Sequence, residues 1–146
     1  MYERLLVPFD GGEHATAALE HALELAATHD ATVHALYVID TSTSPLVVSK
    51  DEVRDGLREV GEDAAGKAFA QAEALAEEYD VDLQTNIREG SPDGEILAAA
   101  NAVNADLVVM GTHGHEGLSR RLLGSVTERV VRESPVPVLT VRVEEK

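Results

Sequence analysis

Gly111, Gly114, Gly124 and Ser125 are the residues whose types and spacing could do chemistry. They follow the apolar run Leu107-Val108-Val109-Met110 and precede Val126-Thr127-Glu128-Arg129-Val130-Val131-Arg132, a stretch of helical character. A buried strand that feeds a glycine-rich loop and then a helix N-terminus gathers bare N–H groups and the positive end of the helix dipole around one point. Such a point binds anions, phosphate above all. Glycine suits it because a Cβ would hold phosphate oxygens off the backbone, and because a tight loop needs positive φ somewhere. Two residues separate Gly111 from Gly114 and nine separate Gly114 from Gly124. That is neither a Walker loop, which needs Gly-Lys-Ser/Thr, nor a G-x-G-x-x-G dinucleotide turn.

Charge singles out the same stretch. Residues 111–132 carry Arg120, Arg121, Arg129 and Arg132 against Glu116 and Glu128, in a chain of net charge −15. A basic island around a glycine loop points to a polyanionic ligand. Arginines in the last turn of a helix also favour its dipole, which accounts for Arg129 and Arg132 but not for Arg120 and Arg121.

The elements that must hold this loop follow from composition and pattern. The 146 residues fit one domain spanning 1–146, and an apolar content of 44% suits a packed core. No run approaches the ~20 apolar residues of a membrane span. A strand-like run begins almost at once after Met1, so no signal peptide is expected and the expected location is the cytoplasm. There are no cysteines, which excludes disulfides and thiolate chemistry. Only three lysines stand among 27 acidic residues, a balance that disfavours nucleic acid as a partner and fits the cytoplasm of a halophile.

Along the chain, residues 2–9 read as a first strand with both faces covered, since Leu5-Leu6-Val7 is continuously apolar. Asp10-Gly11-Gly12 breaks it. A helix follows, with Ala15, Ala18, Leu19, Ala22, Leu25 and Ala26 on one stripe. Residues 31–39 form a second strand and 40–48 a loop. The long acidic stretch 49–79 keeps helical steps at Val53, Leu57, Val60, Ala64, Ala68 and Ala72, with Gly56, Gly61 and Gly66 predicting a bend or a frayed start. A third strand covers 81–88. Ser91 and Pro92 then open a helix with Ile96, Ala99, Ala100 and Val103 buried. Residues 106–110 are the fourth strand, and Val138 to Val143 the fifth.

Strands alternating with helices mean an α/β doubly wound, five-stranded parallel sheet with helices on both faces. Ligands of such sheets bind beyond the strand carboxyl ends where the strand order reverses. The breaks at Asp10-Gly11-Gly12 and at Gly111 to Gly114 both lie at carboxyl ends, which makes strands one and four neighbours across a cleft.

The G-x2-G-x9-G-S/T spacing resembles the ATP-binding signature of the universal stress protein family. The likeness extends over nearly the whole chain: Leu5-Leu6-Val7-Pro8-Phe9-Asp10-Gly11, Tyr37-Val38-Ile39-Asp40, Gly90-Ser91-Pro92 and Asp106 to Gly111 match in place and order. The resemblance implies the strand order 3-2-1-4-5 of adenine-nucleotide alpha-hydrolase-like domains, ATP as ligand with magnesium, and a dimer. Carried over by position, it puts Pro8, Phe9 and Asp10 beside adenine and ribose, and Val38 on the adenine edge through its backbone. Gly111 and Gly114 lie against ribose and phosphates, and Gly124, Ser125, Val126 and Thr127 hold the phosphates. Met110, Thr112, His113 and Arg121 join them as loop residues of the site. Gly12 departs from the family, many of whose members carry serine there.

Other features bear less weight. His113-Gly114-His115 superficially resembles the His-x-Gly-His element of nucleotidyl transferases, but that element follows a first strand, not a fourth. Asp10 is suited either to help hold magnesium with the phosphates or to cap its own turn. His14, His21, His29 and His34 form no metal-ligand pattern. The sequence thus reads as a stress-response nucleotide-binding module with slow ATP hydrolysis at most, since no general base for water is evident. Two rivals remain: a flavodoxin-like redox protein using the same cleft, and a dimerisation module with an empty site. The last strand, Val138 to Val143, follows Pro135 and Pro137 and is apolar and β-branched; as a sheet edge it is expected to pair with a second copy across a two-fold axis.

Overall fold

The computed structural model describes residues 2–41, 51–112 and 123–143. Its elements run β1 (Arg4–Pro8), α1 (Glu13–His29), β2 (Thr32–Asp40), α2 (Asp51–Tyr79), β3 (Leu83–Gly90), α3 (Pro92–Ala102), β4 (Leu107–Gly111), α4 (Ser125–Glu133) and β5 (Val138–Val141). The strands form one parallel sheet in the order β3-β2-β1-β4-β5, so the direction of winding reverses between β1 and β4. This is the architecture expected from the alternation of strands and helices.

The central strands are apolar on both sides because both sides are covered. Leu5 and Val7 face a layer built with Ala18, Leu19, Leu23 and Ala72 of α1 and α2. Leu6, Leu36, Val108 and Met110 face Ile96, Ala99 and Val130 of α3 and α4. Leu5, Leu6 and Val7 are 0%, 1% and 0% exposed, each burial contributing ~1.5–3 kcal/mol. At the amino end of the sheet Asp106 closes the β1–β4 seam, its Oδ2 accepting the amides of Glu3 and Arg4 at 2.8 and 2.9 Å.

Helix α2 differs from its expected stripe. Leu57 and Val60 are 37% and 69% exposed, and the buried positions are Ala65, Ala68, Ala72 and Ala76. Gly61 lies level with Ile39, near the end of β2: a Cβ there would stand 2.7 Å from two Ile39 carbons. The first turns of α2 therefore reach the carboxyl end of the sheet, where none of the described residues buries Leu57 or Val60. The helix is continuous from Asp51 to Tyr79. In α1 the stripe includes Leu23, with Leu25 only partly buried. Strand β3 begins at Leu83, not at residue 81, and as a sheet edge leaves most of its side chains exposed, Ile87 among them. β5 stops at Val141. Among the described residues no helix is long and apolar enough to cross a membrane.

Candidate functional site

Three pieces of chain meet at the carboxyl end of β1 and β4. The first is the turn after β1. Phe9 donates its amide to the Leu36 carbonyl at 2.8 Å, and its ring is 2% exposed in the core. Gly11 takes φ +85°, a left-handed conformation that favours glycine. The Asp10 carboxylate bends back on its own turn, Oδ1 accepting the Gly12 amide at 2.8 Å. Of the two roles open to Asp10, the capping of its turn is thus present in the structure. Its negative charge, after burial, also helps push the Tyr37 phenol above its ordinary pKa.

The second piece is the end of β4. Gly111 is buried, and a Cβ there would stand 2.7 Å from the Cβ of His14 and 2.8 Å from its carbonyl oxygen. Gly111 is therefore a packing glycine: it lets the first turn of α1 lie directly on β4. Met110 is 5% exposed and belongs to the core beneath.

The third piece is the start of α4. Thr127, 3% exposed, donates its hydroxyl to the Gly111 carbonyl at 3.0 Å, and Gly124 donates its amide to the Thr112 carbonyl at 2.8 Å. These two bonds dock the helix N-terminus on the strand end. The N-cap is Gly124, which has no side chain to cap the helix, and the first intrahelical bond runs from the Glu128 amide to the Gly124 carbonyl. The amides of Ser125, Val126 and Thr127 precede that bond, so the helix itself supplies them no acceptor. α1 opens the same way, on Gly12 without a side-chain cap.

Val38 lies on the far side of β1. Residues along a parallel strand address alternate neighbours. In β2 the Leu36 carbonyl serves β1, whereas the Val33 and Thr41 amides donate to Asp82 and Gly90 on the β3 side. Val38, like Leu36, addresses the β1 side, but β1 ends at Pro8, the partner of Leu36. Its N–H and C=O thus open above the end of β1. β2 and β4 flank β1, so their ends are roughly 10 Å apart, two strand spacings, with the α4 N-terminus docked on the end of β4. That donor set fits a nucleoside with phosphates: a peptide N–H and C=O for a base edge at one end, helix amides for anionic oxygens at the other.

The basic island is partly spent. Arg129 pairs with Asp93 at 2.8 Å and with Glu133 at 2.6 Å, and Arg132 with Glu128 at 3.2 Å. Those two arginines serve α3 and α4. His113, Gly114, Arg120 and Arg121 lie outside the described residues. Pro8, Phe9, Asp10, Gly111, Thr112, Gly124, Ser125, Val126 and Thr127 are brought together, with Val38 one strand away. Among the described residues no group of three or more His, Asp or Glu is set to hold a metal. Sequence reasoning passed over His14, whose backbone packs on Gly111, and Thr16, whose hydroxyl donates to the Gly12 carbonyl at 2.8 Å. Thr16 lies four residues after the N-cap, a helical spacing that signals such a contact.

Known proteins of the same kind are numerous. The universal stress protein family matches residues 1–142. A universal stress protein of Methanocaldococcus jannaschii is 39% identical over 97% of this chain and 83% of its own length. Among solved structures, the universal stress protein UspA of Lactobacillus plantarum superposes with a TM-score of 0.82 at 29% identity, over 97% of this chain and 98% of its own. A universal stress protein solved in complex with cAMP superposes at 0.74 with 26% identity, over 98% of this chain and 99% of its own.

Proposed function

The chain belongs to the universal stress protein family, and from that premise we propose that it is an ATP-binding member: a nucleotide-binding stress-response module of the cytoplasm. One observation carries the proposal: the open peptide edge of Val38 and the uncapped amides of α4 lie on the two strands either side of β1, at the strand-order reversal. Adenine lies beside Pro8 and Phe9 with its edge on the Val38 backbone. The phosphates lie on Gly124, Ser125 and Val126, with the loop residues Thr112, His113, Gly114 and Arg121 around them. Thr127 contributes its amide, since its hydroxyl is given to Gly111. Asp10 is the carboxylate proposed for a magnesium ion carried in with the phosphates. ATP hydrolysis is slow at most. The relative solved with cAMP supports an adenine nucleotide as the ligand class.

Calorimetric titration tests this. ATP should bind more tightly than GTP, because a backbone N–H and C=O pair reads the adenine edge and mismatches that of guanine. Gly124→Val should abolish the heat of ATP binding while the protein stays folded, since Gly124 has an extended φ of −64° that valine tolerates. Equal affinity for ATP and GTP, or unchanged binding by the variant, would remove the site from these residues.

We also propose a homodimer through β5 and its continuation to Val143. β5 is a sheet edge, and its four residues are only half-buried. A second copy covers that edge with self-complementary contacts. Light scattering should give twice the chain mass, and Val141→Lys should shift the protein toward monomer; a wild-type mass of one chain would refute the pairing.

A further inference from the structure

Helix α2 reaches the turn after β1 with two side chains that the nucleotide reading leaves unused. Gly11 lies against the helix: a Cβ on it would stand 3.6 Å from Cβ of Ala68 and 3.7 Å from Oε1 of Gln71. Nε2 of the same Gln71 donates to Oγ1 of Thr16 at 3.3 Å, and that hydroxyl donates in turn to the Gly12 carbonyl at 2.8 Å. The Gly12 peptide is thus held at both ends. Its amide goes to Asp10 at 2.8 Å, and its carbonyl takes both the hydroxyl and, at 2.9 Å, the amide of Thr16.

Packing of α2 does not need this relay, because Ala68, Ala72 and Ala76 already bury that face of the helix. The turn does need bracing. Two consecutive glycines carry the largest backbone freedom of any dipeptide, and a turn that must be ordered on binding subtracts that ordering from the affinity.

We propose that Gln71 is a positioning residue for the nucleoside end of the site. By fixing Thr16 and backing Gly11 it holds the Asp10-Gly11-Gly12 turn in the shape that presents Asp10 and the chain before it. The proposal rests on the adenine-nucleotide reading. Toward a magnesium-free nucleotide its reach is confined to the base and ribose, because α4 and its amides are docked by separate bonds to Gly111 and Thr112.

The test compares adenosine and ATP, both without magnesium, by calorimetry in the wild type, Gln71→Ala, Thr16→Val, the double variant and Thr16→Ser, with the melting temperature of each. Gln71→Ala and Thr16→Val should each weaken adenosine and ATP by the same factor, about threefold. The double variant should lose no more than either alone, Thr16→Ser should restore binding, and the ratio of ATP to adenosine affinity should stay constant throughout. A purely structural contact would lower the melting temperature and leave both affinities unchanged, which overturns the role; so does a loss confined to ATP. A wild-type chain that binds neither ligand sinks the nucleotide reading itself. Wild-type binding that Gln71→Ala matches sinks the role of Gln71 alone.

Discussion

The two ends of the sheet are built on opposite principles. At the amino end, backbone groups are closed off by side chains and by helix termini that turn back on themselves. Asp106 takes the amides of Glu3 and Arg4, and α1 ends on Asp30 in the left-handed region at φ 56° with its amide given back to Ala26. At the carboxyl end, glycines stand at the N-caps of α1 and α4, and a peptide edge of β2 outruns its neighbour. One sheet therefore separates two tasks. The closed end satisfies its backbone groups internally, and the open end leaves donors for a ligand at little cost, because water can serve them until the ligand comes.

The sharpest way to break this comparison is Gly111→Val. It lies at the open end but acts as packing, so it should cost about 3 kcal/mol of stability. Differential scanning calorimetry should record a melting temperature lower by roughly 10 °C. A variant that melts with the wild type would mean that α1 does not rest on β4 as described.

A smaller effect should come from salt. With a net charge of −15, self-repulsion is screened as KCl rises. The melting temperature should climb by several degrees between dilute buffer and molar salt, in the presence or absence of ATP. A flat curve would separate the acidity from stability.

The smallest effect sharpens the amino end. Asp106 has its pKa lowered, first by the amides of Glu3 and then Arg4, so its contribution is present above the ordinary carboxylate range and is lost as pH falls through its folded value. His34, lowered first by burial and then by Arg4, binds its proton more readily in the unfolded chain; stability therefore falls as pH drops below about 6.5. Urea titrations of Asp106→Asn should show a shallower decline below about pH 4, and those of His34→Gln a flatter curve between neutral and weakly acid pH. Unaltered pH profiles in both would place the acid sensitivity elsewhere.

Much of this was legible in the sequence, for reasons that differ by residue. Leu5-Leu6-Val7 and Leu107 to Met110 announce themselves because a central parallel strand is apolar on both faces. The glycine breaks after them reveal which strands are neighbours at the reversal. The stripe of α2 holds at Ala68 and Ala72 but fails at Leu57 and Val60, because hydrophobicity along a helix does not say how far its partners reach. Alanines bury where two helices approach closely, while Leu57 and Val60 stay exposed at the carboxyl end of the sheet. The reason for Gly111 was hidden too, since periodicity along the chain does not say that α1 comes to rest on β4. The pairing of Arg129 with Asp93 was not legible, because Asp93 lies far away in sequence, on α3.

The contact between Gly111 and His14 also changes what the glycine pattern certifies. A side chain at 111 is excluded by the protein's own backbone, whether or not any ligand is ever bound. Selection for a folded chain alone would keep that glycine. The φ of Gly124 does not itself demand glycine, and under the proposed function a bound phosphate is what holds it there. In a lineage that lost its nucleotide, position 124 should drift first while position 111 stays fixed. The two glycines of one motif are then separate records, the first of folding and the second of use.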